Sequence, residues 1–126
     1  VFAAGYLITD SHDSENFAVR AYLAKTGNLL WEDQLFGSAF SYSNANDIAV
    51  LDYNVFVVGN VEDDFTVRVY HSIEGDLLWQ DQYNGTSNGY DVANATAASI
   101  GRVFVVGKVS NLGKGADFTI RAYQAR

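Results

Sequence analysis

Residues 65–70 read FTVRVY, and close relatives of this hexapeptide stand at 17–22 (FAVRAY) and 118–123 (FTIRAY). All three copies keep Phe first, Arg fourth and Tyr last. Phe65, Val67 and Val69 alternate strictly with Thr66, Arg68 and Tyr70, which is the period of a β-strand. A step of 48 positions carries Phe17 to Phe65, Arg20 to Arg68, Tyr22 to Tyr70, Trp31 to Trp79, Asp33 to Asp81 and Gly59 to Gly107. The chain repeats itself, and the period governs its fold.

Working outward, an apolar run precedes each hexapeptide: VFAAG at 1–5, VFVVG at 55–59 and again at 103–107. A turn follows, LAKTG or HSIEG, with Gly27 and Gly75 placed for positive φ. LLWEDQL and LLWQDQY come next, the second closed by the turn pair Asn84-Gly85. A looser stretch, YSNANDIAVL at 42–51 and YDVANATAAS at 90–99, leads back to the next apolar run. NANDIAVLDY invites a helical reading, but its place in the repeat assigns it to a strand. Four short strands in about 48 residues mark an all-β protein, and a repeat of this size is the signature of a β-propeller blade. The single module over 1–126 divides into units at 1–54, 55–102 and a partial 103–126.

Composition agrees. Hydrophobic residues make up 48% of the 126 and charged residues 18%, enough to bury a core and too apolar for disorder. Eight Tyr, eight Phe and abundant Val favour strands. With no Pro, chain breaks fall to the eleven Gly and to Asn, Asp and Ser clusters. A net charge of −7 without a basic cluster argues against nucleic acid and against an anionic membrane surface. No apolar run reaches helical spanning length, so no membrane insertion is expected. No Cys excludes disulfides and thiolate chemistry. A chain that starts at Val1 and lacks Met is expected to be processed, trimmed or a piece of a longer one.

AYLAKTGNLLW (21–31) and VYHSIEGDLLW (69–79) resemble the Trp-docking motif of quinoprotein-like propellers. VFVVG, DFTVRVY, GDLLW, YNG and DVANATA together are similar to the bacterial β-propeller repeat family of SBBP type. The resemblance implies that DVANATA is the innermost strand, VFVVG the second, FTVRVY the third and LLWQDQY the outermost. It implies ten strands in about two and a half blades, the second to outermost of one, a complete one, and the innermost to third of another, with a secreted, periplasmic or cell-surface setting. Such a chain is expected to complete its ring by self-association, with a dimer favoured, or within a longer chain. Two copies sum to twenty strands, the total of five four-stranded blades. The quinoprotein pattern is broken where Leu23 and His71 stand and where a vicinal Cys pair is missing, so no cofactor is expected.

The resemblance implies that Trp31 and Trp79 dock between blades; a sugar-stacking role is the alternative. Arg20, Arg68 and Arg121 on apolar strands are expected to brace the blades, with Asp33 and Asp81 as candidate partners. Asp10, His12, Asp13 and Glu15 gather in TDSHDSEN, and VEDD stands at 61–64; both read as solvated acidic loops. The loops after Gly5, Gly59 and Gly107 vary most and form one candidate recognition surface. Ser41, Tyr42 and Asn44, with Asn88, Tyr90 and Asp91, form a second, polar and aromatic, in two copies. No nucleophile elbow, phosphate loop or dinucleotide fingerprint is present. The expectation is a non-enzymatic scaffold or recognition module for a protein ligand, with a carbohydrate-binding propeller as the alternative.

Overall fold

The computed structural model describes residues 1–9, 14–38 and 42–125. Among them are ten strands: β1 (Phe2–Ile8), β2 (Glu15–Tyr22), β3 (Leu29–Leu35), β4 (Asn44–Leu51), β5 (Asn54–Val61), β6 (Asp64–His71), β7 (Leu77–Tyr83), β8 (Val92–Ser99), β9 (Arg102–Asn111) and β10 (Gly115–Gln124). They form three antiparallel sheets in chain order: sheet I is β1-β2-β3, sheet II is β4-β5-β6-β7, and sheet III is β8-β9-β10. The protein is all-β, with strands where the repeat predicts them. Two copies would hold six sheets. Their twenty strands do not sort into five sheets of four without breaking the pairings observed, which corrects the strand arithmetic above.

Alternation along the hexapeptide places the core. Phe56 and Val58 of β5, with Phe65, Val67 and Val69 of β6, cover one side of sheet II and pack on Val103 and Val105 of sheet III. Val55, Val57 and Tyr70 cover the other side and pack on Phe17 and Val19 of sheet I. Sheet II is thus buried on both sides, each large apolar side chain contributing about 1.5 to 3 kcal/mol. Within each interface the same repeat positions meet.

Backbones approach closely where β4 and β8 begin. A Cβ at Gly59 would lie 1.8 Å from the Asn44 carbonyl oxygen, and one at Gly107 would lie 2.0 Å from that of Val92. The last residue of VFVVG is Gly because β4 and β8 bulge there, between Ala45 and Asp47 and between Ala93 and Ala95. Two of the loops expected to vary are largely strand. Lys108–Asn111 and Gly115–Asp117 continue the β9–β10 pairing, leaving only Leu112, Gly113 and Lys114 as a turn. Glu62 and Asp63, both at positive φ (50° and 69°), turn β5 into β6.

Candidate functional site

The sheets are clasped by side chains that the repeat writes twice. Asp33 on β3 reaches from sheet I to sheet II, where its Oδ2 accepts the Tyr70 hydroxyl at 2.8 Å and Arg68 Nη2 at 3.1 Å. Arg68 Nε donates to the Tyr70 hydroxyl oxygen at 2.7 Å, and its Nη1 donates to Gln80. One repeat later, Asp81 accepts the Tyr123 hydroxyl at 2.8 Å and pairs with Arg121 at 3.1 Å. Arg68 and Arg121 brace the sheets, each paired with the aspartate of the preceding sheet. The alternating strand has turned Arg and Tyr to one side, and the outer strand of the neighbour supplies the carboxylate. Burial pushes the Tyr70 phenol well above its ordinary value, partly offset by Arg68; burial and then Asp81 push Tyr123 up to about 12.

Trp31 sits beside this clasp. Its ring stacks on Tyr70 at 5.7 Å, its Nε1 donates to the Ser72 carbonyl at 3.0 Å, and it lies over Gly75. Trp79 meets Tyr123 at 5.4 Å and Phe56 at 6.4 Å. Each indole is thereby engaged by a tyrosine of the following sheet. Gly27 and Gly75 both turn at positive φ, but only Gly75 carries an indole.

Arg20 differs from its two counterparts. Its side chain is 38% exposed against 8% for Arg68, and its Nε donates to Glu32 on β3 of its own sheet at 3.0 Å. Among the described residues no aspartate from another sheet reaches it. The Tyr22 hydroxyl and then Glu32 raise its guanidinium above the ordinary value.

The second candidate surface is divided by the structure. Asp91 is wholly buried and accepts Gly85 N at 2.5 Å and Ser110 N at 2.6 Å, so it ties a loop rather than facing a ligand. Ser43, one repeat earlier, is equally buried and accepts Glu62 N at 3.0 Å. Asn88 accepts Asn84 Nδ2 at 2.6 Å, and Asn44 pairs with Asn60 in the sheet register. Tyr42 and Tyr90 remain exposed. Asn60 stands between them, donating to the Tyr42 carbonyl at 2.7 Å and accepting the Tyr90 hydroxyl at 3.5 Å, while Lys108 Nζ lies 5.0 Å over the Tyr90 ring.

The loops after Gly59 and Gly107 share one end of the molecule with the second surface. Asp91 N donates to the Asp63 carbonyl at 2.7 Å, and Leu112 N donates to Thr86 Oγ1 at 3.1 Å, joining the entry loops to the hairpin tips. There burial, then Asp91, Asp63 and Glu62, raise the Asp64 carboxyl above the ordinary range. Asp10, His12, Asp13 and Ser41 lie outside the described residues. Among the described residues no three His, Cys, Asp or Glu side chains gather as metal ligands, and His71 pairs with Glu74 inside a turn.

Sequence reasoning missed Asn60, Ser43, Asn46 and Asp47. Asn46 Nδ2 donates to the Ala93 carbonyl at 2.9 Å and Asp47 accepts Thr96 N at 2.8 Å, tying β4 to β8. The signal for Ser43 was present, since it stands at the repeat position of Asp91. Compared with known proteins, the chain matches no family model and no curated protein.

Proposed function

We propose that this chain is a non-enzymatic scaffold of the β-propeller kind, whose three sheets are successive blades fanned about an axis next to β4 and β8. The observation that carries this reading is the repeated clasp. Asp33 meets Arg68 and Tyr70 as Asp81 meets Arg121 and Tyr123, so one geometric step relates sheet I to II and II to III. Repeating one step produces a ring or a superhelix, which is how repeat scaffolds are built. The ties between β4 and β8 run along the inner side, and the tryptophans lie on the outer strands. In this reading the hairpin tips and entry loops at one end form the recognition surface for a protein partner.

Spin labels test the arrangement, because the chain has no native Cys to interfere. Asp52→Cys with Ile100→Cys reports adjacent inner turns; Leu29→Cys with Leu77→Cys reports adjacent outer strands. Fanned blades require the inner separation to be the shorter of the two. Equal separations would describe a flat stack and end the propeller reading.

Carbohydrate binding is the second reading, favoured by the exposed Tyr42 and Tyr90 on either side of Asn60. Neutral and acidic sugars titrated against the protein should then shift the ring resonances of these two tyrosines. Unmoved tyrosine signals across the sugars would remove it.

A further inference from the structure

Inside the chain, every sheet-to-sheet contact sets the Phe-bearing side of one sheet against the Arg- and Tyr-bearing side of the next. Among the described residues two such sides are left open, one of each kind. On sheet III the open side carries Phe118, 74% exposed, and Ile120, 61% exposed, together with Phe104 and Val106. Their repeat counterparts on sheet II, Phe65, Val67, Phe56 and Val58, are all at 0%. On sheet I the open side is a shallow hollow lined by Ala3, Gly5, Ala18, Arg20 and Tyr22.

We propose that the open side of sheet III docks into the hollow of sheet I on a second copy of this chain, giving a head-to-tail assembly. The inference rests on the scaffold reading above and names its partner. Two features suit these two surfaces to each other, and so fit a second copy. The first is size. Sheet III presents Val106 and Ile120 where sheet I, in its internal contact, presents the smaller Ala4 and Val19. The receiving hollow has Ala3 and Ala18 where sheet II has the larger Val57 and Thr66. The larger knobs thus face the roomier hole, which suits these two surfaces to each other.

The second feature is charge. Arg68 and Arg121 each need an aspartate from the neighbouring sheet, and the described strands of sheet III place no carboxylate on the open side. Arg20 does not need one, because Glu32 of its own sheet occupies the repeat position of the neutral Gln80. Sheet I is therefore equipped to receive an apolar surface without leaving a guanidinium unpaired. The contact is heterologous, so copies close into a ring only if the rotation per copy divides a full turn.

Light scattering on mutually blocked chains tests this. Phe118→Asp with Ile120→Asp blocks sheet III; Ala3→Arg fills the hollow of sheet I. All three positions are exposed, and circular dichroism will show that the variants keep their strands. The unaltered chain should exceed its 13.8 kDa chain mass with rising concentration, and each blocked chain alone should fall to that mass. Mixed, the two blocked chains should form a one-to-one pair and nothing larger, because only one competent contact remains. An unaltered chain that stays single at all concentrations overturns the inference. Self-association of the Ala3→Arg chain alone also overturns it, since that contact would join like sides. Neither result bears on the spin-label distances within one chain, so the blade arrangement stands or falls separately.

Discussion

The Asp33 carboxylate meets the Tyr70 hydroxyl at 2.8 Å across the boundary between two sheets, and Asp81 meets Tyr123 at the same 2.8 Å across the next boundary. A residue of each outer strand is thereby committed to the sheet that follows it. The clasp gives the stack its direction, from the Asp-bearing edge strand of one sheet to the Arg-bearing strand of the next. It also gives the surroundings of the two arginines different stakes.

Asp33→Ala should cost about 2 to 3 kcal/mol in urea unfolding, because it strands a nearly buried guanidinium. The Arg68 side chain is 8% exposed, whereas that of Arg121 is 32% exposed. Asp81→Ala should accordingly cost only about 1 kcal/mol, water substituting for the lost carboxylate. Equal costs would mean that burial does not set the worth of the clasp.

The tyrosines predict an alkaline limit. Burial holds the Tyr123 phenol neutral in the fold, up to about 12 from 10.0, so the unfolded chain loses its proton first. Stability from this group is complete below about pH 10 and is lost as pH rises toward 12. Tyr70, raised in the same direction by burial, extends the loss further. Tyr123→Phe should flatten that part of the profile of unfolding free energy against pH, and tyrosinate absorbance in the unaltered fold should lag behind that of the urea-unfolded chain.

Gly75 and Gly27 occupy the same turn position at φ +79° and +75°. A Cβ at Gly75 would stand 2.6 Å from the Trp31 ring, while one at Gly27 would meet nothing within 4 Å beyond its chain neighbours. Gly27→Ala should cost about 1 kcal/mol for the left-handed backbone alone. Gly75→Ala should cost roughly 2 kcal/mol more by displacing the indole, with a change in near-ultraviolet dichroism that Gly27→Ala lacks.

Asp91→Ala should be destabilising by about 2 to 4 kcal/mol, since it leaves the Gly85 and Ser110 amides without their acceptor in a buried loop. Tyr90→Ala, at an exposed ring, should change stability by less than about 1 kcal/mol. Thermal melts of the two variants make the comparison, and a mild Asp91→Ala would return that residue to the recognition surface.

The strands were legible because alternation in FTVRVY and repetition at 48 positions are properties of the chain itself. The candidate partners of the arginines were legible too, as Asp33 and Asp81, but not which arginine each would take. That choice joins residues 35 positions apart, Asp33 with Arg68, and leaves Arg20 to Glu32. Asp91 shows the opposite limit. Its company of Tyr and Asn suggests a polar surface, yet the carboxylate is wholly buried, because two loop amides needed an acceptor.

By itself the sequence determined an all-β chain, the position of its strands and the side of each that is apolar, since these follow from periodicity that any extended backbone obeys. Only the tertiary structure decided which sheet each Asp and Trp reaches and which apolar side stays open. Those outcomes depend on how separate sheets are stacked, and stacking brings together residues whose relation no local pattern records.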